Sequence, residues 1–257
     1  MNNSIIDVIT NHKSIRHFKN QKLTGDEVDT LVDAATHAST STFSQQYSII
    51  SVTDPQKLAE IERLTGGKKW MLGSGHYFVM VADQYRNLQI AQKAGQDPYI
   101  LRTTDKFLAS VFDASLATEN LVLAAESMGM GATIMGSILN ESERIIELLG
   151  LPELTFPLLG IAVGYPETEP ETKPRMPKQL QHFTDTYQLD KVISDVLPEY
   201  DAQINEYYAE RGSNNRKETF STHILSELSR DRSVRAELLA NIARQGFDVD
   251  EQLKPLN

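Results

Sequence analysis

The sequence predicts an α+β or mixed α/β protein in which helices outnumber strands and flank a central sheet. Three observations support this prediction. Apolar residues recur at helical spacing in several long segments, and four short apolar runs have the length of buried strands. Strands and helices alternate only in places, and the last part of the chain returns to helices.

The first half of the chain predicts three helices and two strands in addition to its opening helix. Residues 4–11 have a broad apolar helical face, and Thr24 with Glu27 forms a capping box that opens a helix to about residue 38. Residues 39–46 are small and polar, which predicts a loop. The next elements are a strand at 47–53, a helix at 56–64 after Asp54-Pro55, a strand at 77–82 and a helix at 85–93.

The longest helix is predicted over residues 104–128, where small residues would permit close helix packing. Gly129 ends this helix, and residues 132–135 form a third strand that Gly136 and Ser137 break. Asn140 with Glu143 predicts a capped helix to residue 149. A fourth strand is predicted at 158–163.

The last part of the chain predicts an extended arm followed by helices. Residues 166–177 are rich in proline, glutamate and threonine, which is typical of extended chain. The helices that follow are predicted at about 198–211, 219–228 and 233–245. We therefore expect one domain over residues 1–257, with a core over about 1–165 and an arm and helical excursion over about 166–257.

Composition excludes several classes of protein. The length of 257 residues fits one large domain, or a domain with an extension. A formal net charge of −10 argues against nucleic-acid binding, which needs a basic face. The absence of cysteine excludes disulfides and thiolate catalysis. With no signal-like start and no run near the ~20 apolar residues of a membrane span, we expect a soluble cytoplasmic protein.

Familiar nucleotide and catalytic motifs do not fit this chain. Residues 129–131 with Gly136 have the wrong spacing for a dinucleotide fingerprint, and they lead from a helix into a strand. Gly67-Lys68 lacks the first glycine and the hydroxyl residue of a phosphate-binding P-loop. Residues 73–75 lack the spacing of a nucleophile elbow. The six histidines are scattered, so we predict no metal site.

Positive charge gathers at a few points of this acidic chain. The three clusters are residues 12–17, Lys173-Pro174-Arg175 and residues 211–216. Arg and Lys bind phosphate oxygens through charge-assisted hydrogen bonds. The clusters therefore predict a small anionic ligand, best a phosphate, provided that the fold brings them together.

The segment His12-Lys13-Ser14-Ile15-Arg16 resembles the opening signature of the nitroreductase superfamily, usually His-Arg-Ser-Ile-Arg. Further segments match the same superfamily in order, to about residue 247. They are residues 39–42, 64–67, 124–129, 173–175 and 211–216. Together they resemble the branch of flavin reductase P and the oxygen-insensitive NADPH nitroreductase. The resemblance implies a nitroreductase-like α+β fold with a central mixed or antiparallel sheet.

The resemblance also implies an activity. It implies a homodimer with FMN at the interface and a ping-pong reaction, in which NADPH, or NADH, reduces flavins, nitroaromatics or quinones by two electrons. The acceptors are planar small molecules. No catalytic side chain is required, because the flavin carries the hydride. A specialised reductase such as a dehalogenase, a non-catalytic flavin-binding or stress-regulatory protein with an occluded pocket, and a phosphate-ligand binding protein remain alternatives.

The matched segments have separate roles by resemblance. Residues 12–16 meet the phosphate, ribityl chain or pyrimidine ring of FMN, residues 39–41 supply hydroxyl contacts, and residues 134–137 lie beside the isoalloxazine ring. Lys173 and Arg175 bind the FMN phosphate, whereas Arg211 and Arg216 bind phosphates of NADPH. The residues assigned to FMN are His12, Lys13, Ser14, Ile15, Arg16, Ser39, Thr40, Ser41, Lys68, Ile134, Met135, Gly136, Ser137, Lys173 and Arg175.

Each set also has a purely structural interpretation, as a helix end, a polar loop, a strand end or solvated charges. Three departures from the branch bear on the site. Lys68 stands where the branch commonly has glutamine, so an amide contact to the ring becomes a cationic one. Residues 134–137 replace Tyr-Ile-Gly-Gly and make the pocket less aromatic. Leu139 stands in place of an arginine, which bears on acceptor range and on the preference for NADPH.

Overall fold

The structure is a computed structural model that describes residues 4–212, 215–231 and 233–249. Two residues of the third predicted cation cluster, Ser213 and Asn214, lie outside the described residues. The chain divides into two compact units, one made of Met1–Glu169 with Ser233–Asn257 and the other of Pro170–Arg232. Each unit is described by itself below.

A four-stranded antiparallel sheet forms the centre of the first unit. Its strands are β1 (Tyr47–Ser51), β2 (His76–Asp83), β3 (Gly131–Met135) and β4 (Thr155–Gly164), in the order β1-β2-β4-β3. β4 begins before the predicted residue 158. Pro157, which would ordinarily break a strand, is accommodated where the β2–β4 register shifts between Met80 and Val81.

Helices surround this sheet and form the second unit. Their bounds are α1 Ser4–Thr10, α2 Gly25–Thr36, α3 Pro55–Leu64, α4 Tyr85–Lys93, α5 Thr104–Ser127, α6 Ser142–Leu149, α7 Ile193–Glu210, α8 Phe220–Glu227 and α9 Leu238–Arg244. The capping box of Thr24 and Glu27 forms as predicted, and the Asp54 side chain caps α3.

Three predicted helix starts are wrong. α6 starts after Glu141 without a side-chain cap, because the Asn140 side chain accepts a hydrogen bond from Arg235 instead. α7 starts at Ile193 and contains Pro198 in its second turn, where the missing N–H costs one intrahelical bond. α9 starts at Leu238 rather than at residue 233, since residues 233–237 form turns.

The core of the first unit lies on both faces of the sheet. Phe78 and Met80 of β2 join one apolar cluster, which also contains Leu31 of α2 and Leu121 of α5. Val79 and Val81 join a second cluster with Ile61 of α3 and with helix α6. Alternate residues of β2 are therefore buried on opposite faces, as its continuous apolar sequence predicts.

Helix α5 has the length and composition of a membrane span, alone among the described residues. The expectation that no segment approaches a span is therefore not met by α5. Half of its most apolar window is buried inside the protein, where Leu121 and Val122 belong to the core beneath the sheet. The apolar character of α5 is thus explained by its place as a core helix.

The second unit has a small core of its own. Tyr200, Ile204 and Tyr208 of α7 are buried, and Phe220 of α8 packs against them. Residues 167–177 contain no helix or strand, and 178–180 form a single 3₁₀ turn. α9 belongs to the first unit, where the Asn241 amide donates a hydrogen bond of 2.9 Å to the Ser142 hydroxyl of α6.

Candidate functional site

The segment that carries the first cation cluster is attached to strand β3. Ser14 forms a parallel bridge with Ala132, and the Ile15 N–H donates to the Ala132 carbonyl at 2.9 Å. The Thr133 hydroxyl donates to the Ile15 carbonyl at 2.5 Å. Ile15 is only 3% exposed. Its side chain and both backbone groups are therefore used to fix the segment on the sheet.

Close packing under Ile15 explains the glycine that opens β3. A Cβ atom at Gly131 would lie 2.2 Å from Ile15 Cγ1, which is far inside van der Waals contact. The glycine thus lets segment 12–16 approach the strand. The same strand ends at Met135, next to Gly136, so the ring-side set of predicted flavin residues begins on the strand to which the first set is attached.

The three basic residues of this segment have different surroundings. His12 Nδ1 lies 2.7 Å from Glu126 Oε1, and Lys13 Nζ lies 3.5 Å from Glu169 Oε2. Arg16 is exposed and makes no hydrogen bond or ion pair with any residue that the structure describes. Of the three, Arg16 is the residue whose side-chain donors remain open to an external anion.

A cavity of about 380 Å³ lies beside Lys13 and Ile15. Its walls include the carboxylates of Asp7, Glu126 and Glu169, against the single ammonium of Lys13. Excess negative charge opposes the binding of a phosphate. This cavity therefore does not fit the phosphate of FMN, and Arg16 is absent from its walls.

The predicted hydroxyl loop, residues 39–46, is held by a buried carboxylate on α5. Asp113 accepts hydrogen bonds from the backbone N–H groups of Ser41, at 2.7 Å, and Gln46, at 3.1 Å. Thr42, Phe43 and Gln45 have φ of 51°, 57° and 46°, in the left-handed region that non-glycine residues seldom adopt. The buried anion thus stabilises a strained loop.

The environment of Asp113 also affects the tyrosine that follows the loop. Burial raises the pKa of Tyr47, and the nearby Asp113 carboxylate raises that pKa further. Ser39 is exposed, while Thr40 and Ser41 are half-buried. The loop therefore presents polar groups at the surface from a backbone that Asp113 fixes.

The end of β3 has an arginine partner that sequence reasoning missed. Arg235 Nη2 donates to the Gly136 carbonyl at 2.8 Å, and its Nε donates to Asn140 Oδ1 at 3.0 Å. Ile134 is exposed and Met135 is buried. A Cβ at Gly136 would meet nothing within 4 Å, so the backbone there can be approached closely. Only the arginine-rich run at 230–235 could have indicated this contact.

Two predicted residues stand apart from these contacts. Lys68 is exposed and precedes the 3₁₀ turn Lys69–Gly73. Its carbonyl accepts a hydrogen bond from the Met71 N–H, but its side chain makes no hydrogen bond or ion pair with the described part of the chain. Leu139, at the end of the turn that follows β3, is half-buried and packs on the core. The Lys68 side chain is therefore open to a role at the site, whereas the Leu139 side chain is partly used by the core.

In the second unit, three predicted cations surround one tyrosine ring. Lys173 Nζ lies 5.2 Å from the centroid of the Tyr208 ring, Arg211 Cζ lies 4.7 Å from it and Arg216 Cζ lies 4.0 Å from it. Tyr208 itself is buried on α7. Cations over an aromatic face are stabilised by the ring quadrupole. The fold thus brings together residues from two sequence clusters, which we call the Tyr208 cation cluster.

Carboxylate and tyrosine partners complete this second site. Glu218 accepts two hydrogen bonds from Arg216, and these bonds are the main reason that the pKa of Glu218 is lowered. Arg175 is exposed near Tyr200, whose pKa is raised by burial and lowered in part by Lys173 and Arg175. The donors Lys173, Arg175, Arg211 and Arg216 are those that phosphate groups require.

Comparison with known proteins identifies the family. The model of the nitroreductase family matches residues 9–165, and the model of the nitroreductase family C-terminal domain matches residues 173–250. The chain belongs to the nitroreductase family. This confirms the resemblance that the sequence motifs predicted.

Relatives in the nitroreductase family match nearly the whole chain. A Bacillus subtilis protein named FMN reductase (NADPH) is 42% identical over 226 residues, covering 87% of this chain and 91% of that protein. A Staphylococcus aureus NADPH-dependent oxidoreductase is 36% identical over 251 residues, covering 96% of this chain and 99% of that protein.

Solved nitroreductase structures confirm the predicted α+β fold. The NfrA1 nitroreductase of B. subtilis superposes with a TM-score of 0.90 at 40% identity, over 95% of this chain and 99% of that chain. The NADPH:FMN oxidoreductase of Vibrio harveyi, solved with NAD+, superposes with a TM-score of 0.84 at 29% identity, over 96% of this chain and 100% of that chain.

Proposed function

We propose that this member of the nitroreductase family is an oxidoreductase that binds FMN and uses NADPH to reduce planar small-molecule acceptors. The family and the names of the relatives confirm the expectation of an enzyme with FMN as cofactor and NADPH as donor. Arg16 is the observation in this chain that carries the proposal. It is an exposed cation without a carboxylate partner among the described residues, on the segment that β3 anchors.

The chain supplies groups that suit each part of FMN. Arg16, Lys173 and Arg175 would hold the phosphate, and the hydroxyls of Ser14, Ser39, Thr40 and Ser41 would meet the ribityl chain and ring. His12 would use Nε2, because Nδ1 is taken by Glu126. Lys13 would need to exchange Glu169 for the cofactor, and Ile15 would act only by fixing the segment.

The ring side of the site is proposed at the end of β3. Residues 134–137 would lie beside the isoalloxazine, with the open backbone of Gly136 at the closest approach. Lys68 would add positive charge, which favours the anionic reduced flavin. When bound, FMN supplies the hydride acceptor, so the chain needs to bind and orient rather than to provide a catalytic side chain.

Arg211 and Arg216 would bind phosphates of NADPH, with NADH as a weaker donor. A ping-pong reaction follows if the oxidised nicotinamide leaves before the acceptor enters the same pocket. Free flavins, nitroaromatics and quinones share a planar ring that can lie over the flavin. These acceptors are therefore the class in which the substrate is to be sought.

A cytoplasmic homodimer with FMN at its interface is part of the proposal. Ile5, Ile6 and Ile9 of α1 are exposed apolar residues, as are Leu108, Phe112 and Leu116, which share one face of α5 at intervals of four. Phe43 in the strained loop is 83% exposed. Extended exposed apolar surface of this kind is typical of an interface between proteins.

The test is FMN retention by purified variants. Arg16→Ala and Lys173→Ala should each raise the dissociation constant of FMN by roughly 10- to 100-fold, because each removes a charge-assisted contact to the phosphate. Arg63→Ala is the control, since Arg63 is an exposed arginine paired with Glu60 on α3. Isothermal titration of flavin-free protein measures the constants.

The outcomes separate the alternatives. The wild-type protein should be yellow and should bleach under anaerobic NADPH. A yellow protein that NADPH and NADH leave oxidised would favour a non-catalytic flavin-binding protein. Unchanged FMN affinity in both Arg16→Ala and Lys173→Ala would remove the phosphate assignments, and a colourless protein that takes up no FMN would contradict the proposed function.

A further inference from the structure

A carboxylate already occupies part of the Tyr208 cation cluster. Arg216 donates two hydrogen bonds to Glu218 Oε2, from Nε at 2.8 Å and from Nη2 at 2.6 Å. The other oxygen of Glu218 lies 3.7 Å from His223 Nδ1. The Glu218 side chain is 19% exposed, against 44% for Arg216. The ion pair is therefore accessible to a ligand but partly shielded from solvent.

The geometry shows which donors of Arg216 a carboxylate already uses. The Tyr208 ring lies 4.0 Å from Arg216 Cζ and limits the movement of the guanidinium group. The edge formed by Nε and Nη2 is turned to Glu218. Carboxylate and phosphate oxygens bind the same guanidinium edge. Glu218 thus accepts hydrogen bonds from donors of Arg216 that a phosphate of the nucleotide would otherwise accept.

We propose that Glu218 is a specificity-determining residue that weakens recognition of the 2′-phosphate of NADPH by competing for Arg216. The proposal rests on the proposed function, in which Arg216 binds a phosphate of the nucleotide. Lys173 and Arg211 lie at the same tyrosine ring and are not hydrogen-bonded to Glu218, so they remain as further cations of the cluster. Glu218 therefore lowers the advantage of NADPH over NADH without abolishing it.

The charge of Glu218 can be removed while its shape is kept. Glu218→Gln retains an oxygen that accepts a hydrogen bond from Arg216 but frees the guanidinium from a competing charge. We expect binding of 2′,5′-ADP to tighten by about two- to fivefold, as for the loss of one exposed ion pair. Binding of 5′-AMP, which lacks the 2′-phosphate, should stay the same.

The experiment is isothermal titration of the full-length FMN-loaded protein with 2′,5′-ADP and 5′-AMP. Glu227→Gln is the matched control, because Glu227 also pairs with an arginine, Arg230, at 2.8 Å in the same unit. That variant should change neither affinity. In steady-state rates, the ratio of kcat/KM for NADPH to that for NADH should rise in Glu218→Gln by the same factor as the affinity for 2′,5′-ADP.

Arg216→Ala separates this proposal from the proposed function. If Arg216→Ala weakens 2′,5′-ADP binding and Glu218→Gln tightens it, both stand. If Arg216→Ala weakens binding but Glu218→Gln leaves it unchanged or weakens it, Glu218 positions Arg216 or is neutral, and the proposal is overturned alone. If Arg216→Ala has no effect, the phosphate role of Arg216 fails, and the role of Glu218 fails with it.

Discussion

The two units of the protein hold their cations in different ways. In the first unit, Arg16 is placed by main-chain hydrogen bonds between its segment and β3, and by the buried side chain of Ile15. In the second unit, Lys173, Arg211 and Arg216 are gathered around the side chain of Tyr208. The position of Arg16 therefore depends on several main-chain hydrogen bonds, whereas the positions of the three cations in the second unit depend on one aromatic ring.

The loop at residues 39–46 in the first unit combines the two kinds of anchoring, main-chain hydrogen bonds and dependence on one side chain. Its backbone N–H groups at Ser41 and Gln46 donate the hydrogen bonds that fix it, but a single side chain, Asp113, accepts both. A loop with three left-handed non-glycine residues would otherwise relax to a commoner conformation. We therefore expect a substitution to reduce stability most where one side chain contacts or hydrogen-bonds several other residues.

The largest effect is expected at Tyr208. Tyr208→Ala removes a buried ring from the core of the second unit and the face against which three cations pack, so the free energy of unfolding should fall by about 3–5 kcal/mol. Urea denaturation monitored by circular dichroism measures it. Tyr208→Phe keeps the ring and should cost less than about 1.5 kcal/mol. Equal losses in both variants would show that the ring face does not matter.

A smaller effect is expected at Asp113. Asp113→Asn replaces one accepting oxygen with an NH₂ group that faces N–H donors, so the free energy of unfolding should fall by about 2–3 kcal/mol. Amide hydrogen exchange at Ser41 and Gln46 should accelerate. Glu119→Gln, at an exposed position of α5, is the control and should change stability by less than about 0.5 kcal/mol. Unchanged exchange in Asp113→Asn would contradict the role of Asp113 in fixing the loop.

The smallest effect is expected at Gly131, where main-chain anchoring can spread the strain. Gly131→Ala places a Cβ 2.2 Å from Ile15 Cγ1 and should cost about 1–2 kcal/mol of stability. Added Ile15→Ala removes the contact with Cγ1 but leaves the Cβ of residue 15 at 2.9 Å, so it should relieve only part of the cost, which a double-mutant cycle measures. Gly73→Ala has open space around its Cβ and serves as the control. A cost of Gly131→Ala that Ile15→Ala does not reduce would show that the Ile15 Cγ1 contact is not its cause.

Local signals in the sequence predicted most elements of the fold. The capping box at Thr24, the apolar run of β2 and the long periodic segment of α5 all form as expected, because each depends on neighbours a few residues away. β4 and α7 both begin before their predicted starts, and each contains a proline near its beginning, Pro157 and Pro198. A proline indicates a boundary in isolation, but a register shift or a helix turn can accommodate it.

The residues of the candidate site were predicted through ordered motifs, and their surroundings were not. Asn140 was expected to cap α6, yet its side chain bonds Arg235, which lies 95 residues further along the chain. Asp113 and Arg235 carried no motif that would single them out. Their effect on the loop at 39–46 and on Gly136 arises only after the chain has folded.

By itself the sequence determined the family and the order of helices and strands, because motif spacing and apolar periodicity are properties of nearby residues. Only the tertiary structure decided which cations remain open to a ligand. Arg16 is left exposed, His12 and Lys13 meet Glu126 and Glu169, and three cations gather on Tyr208. The physical reason is that a charge is paired or free according to what the fold places within a few ångströms of it, and sequence distance does not reveal that.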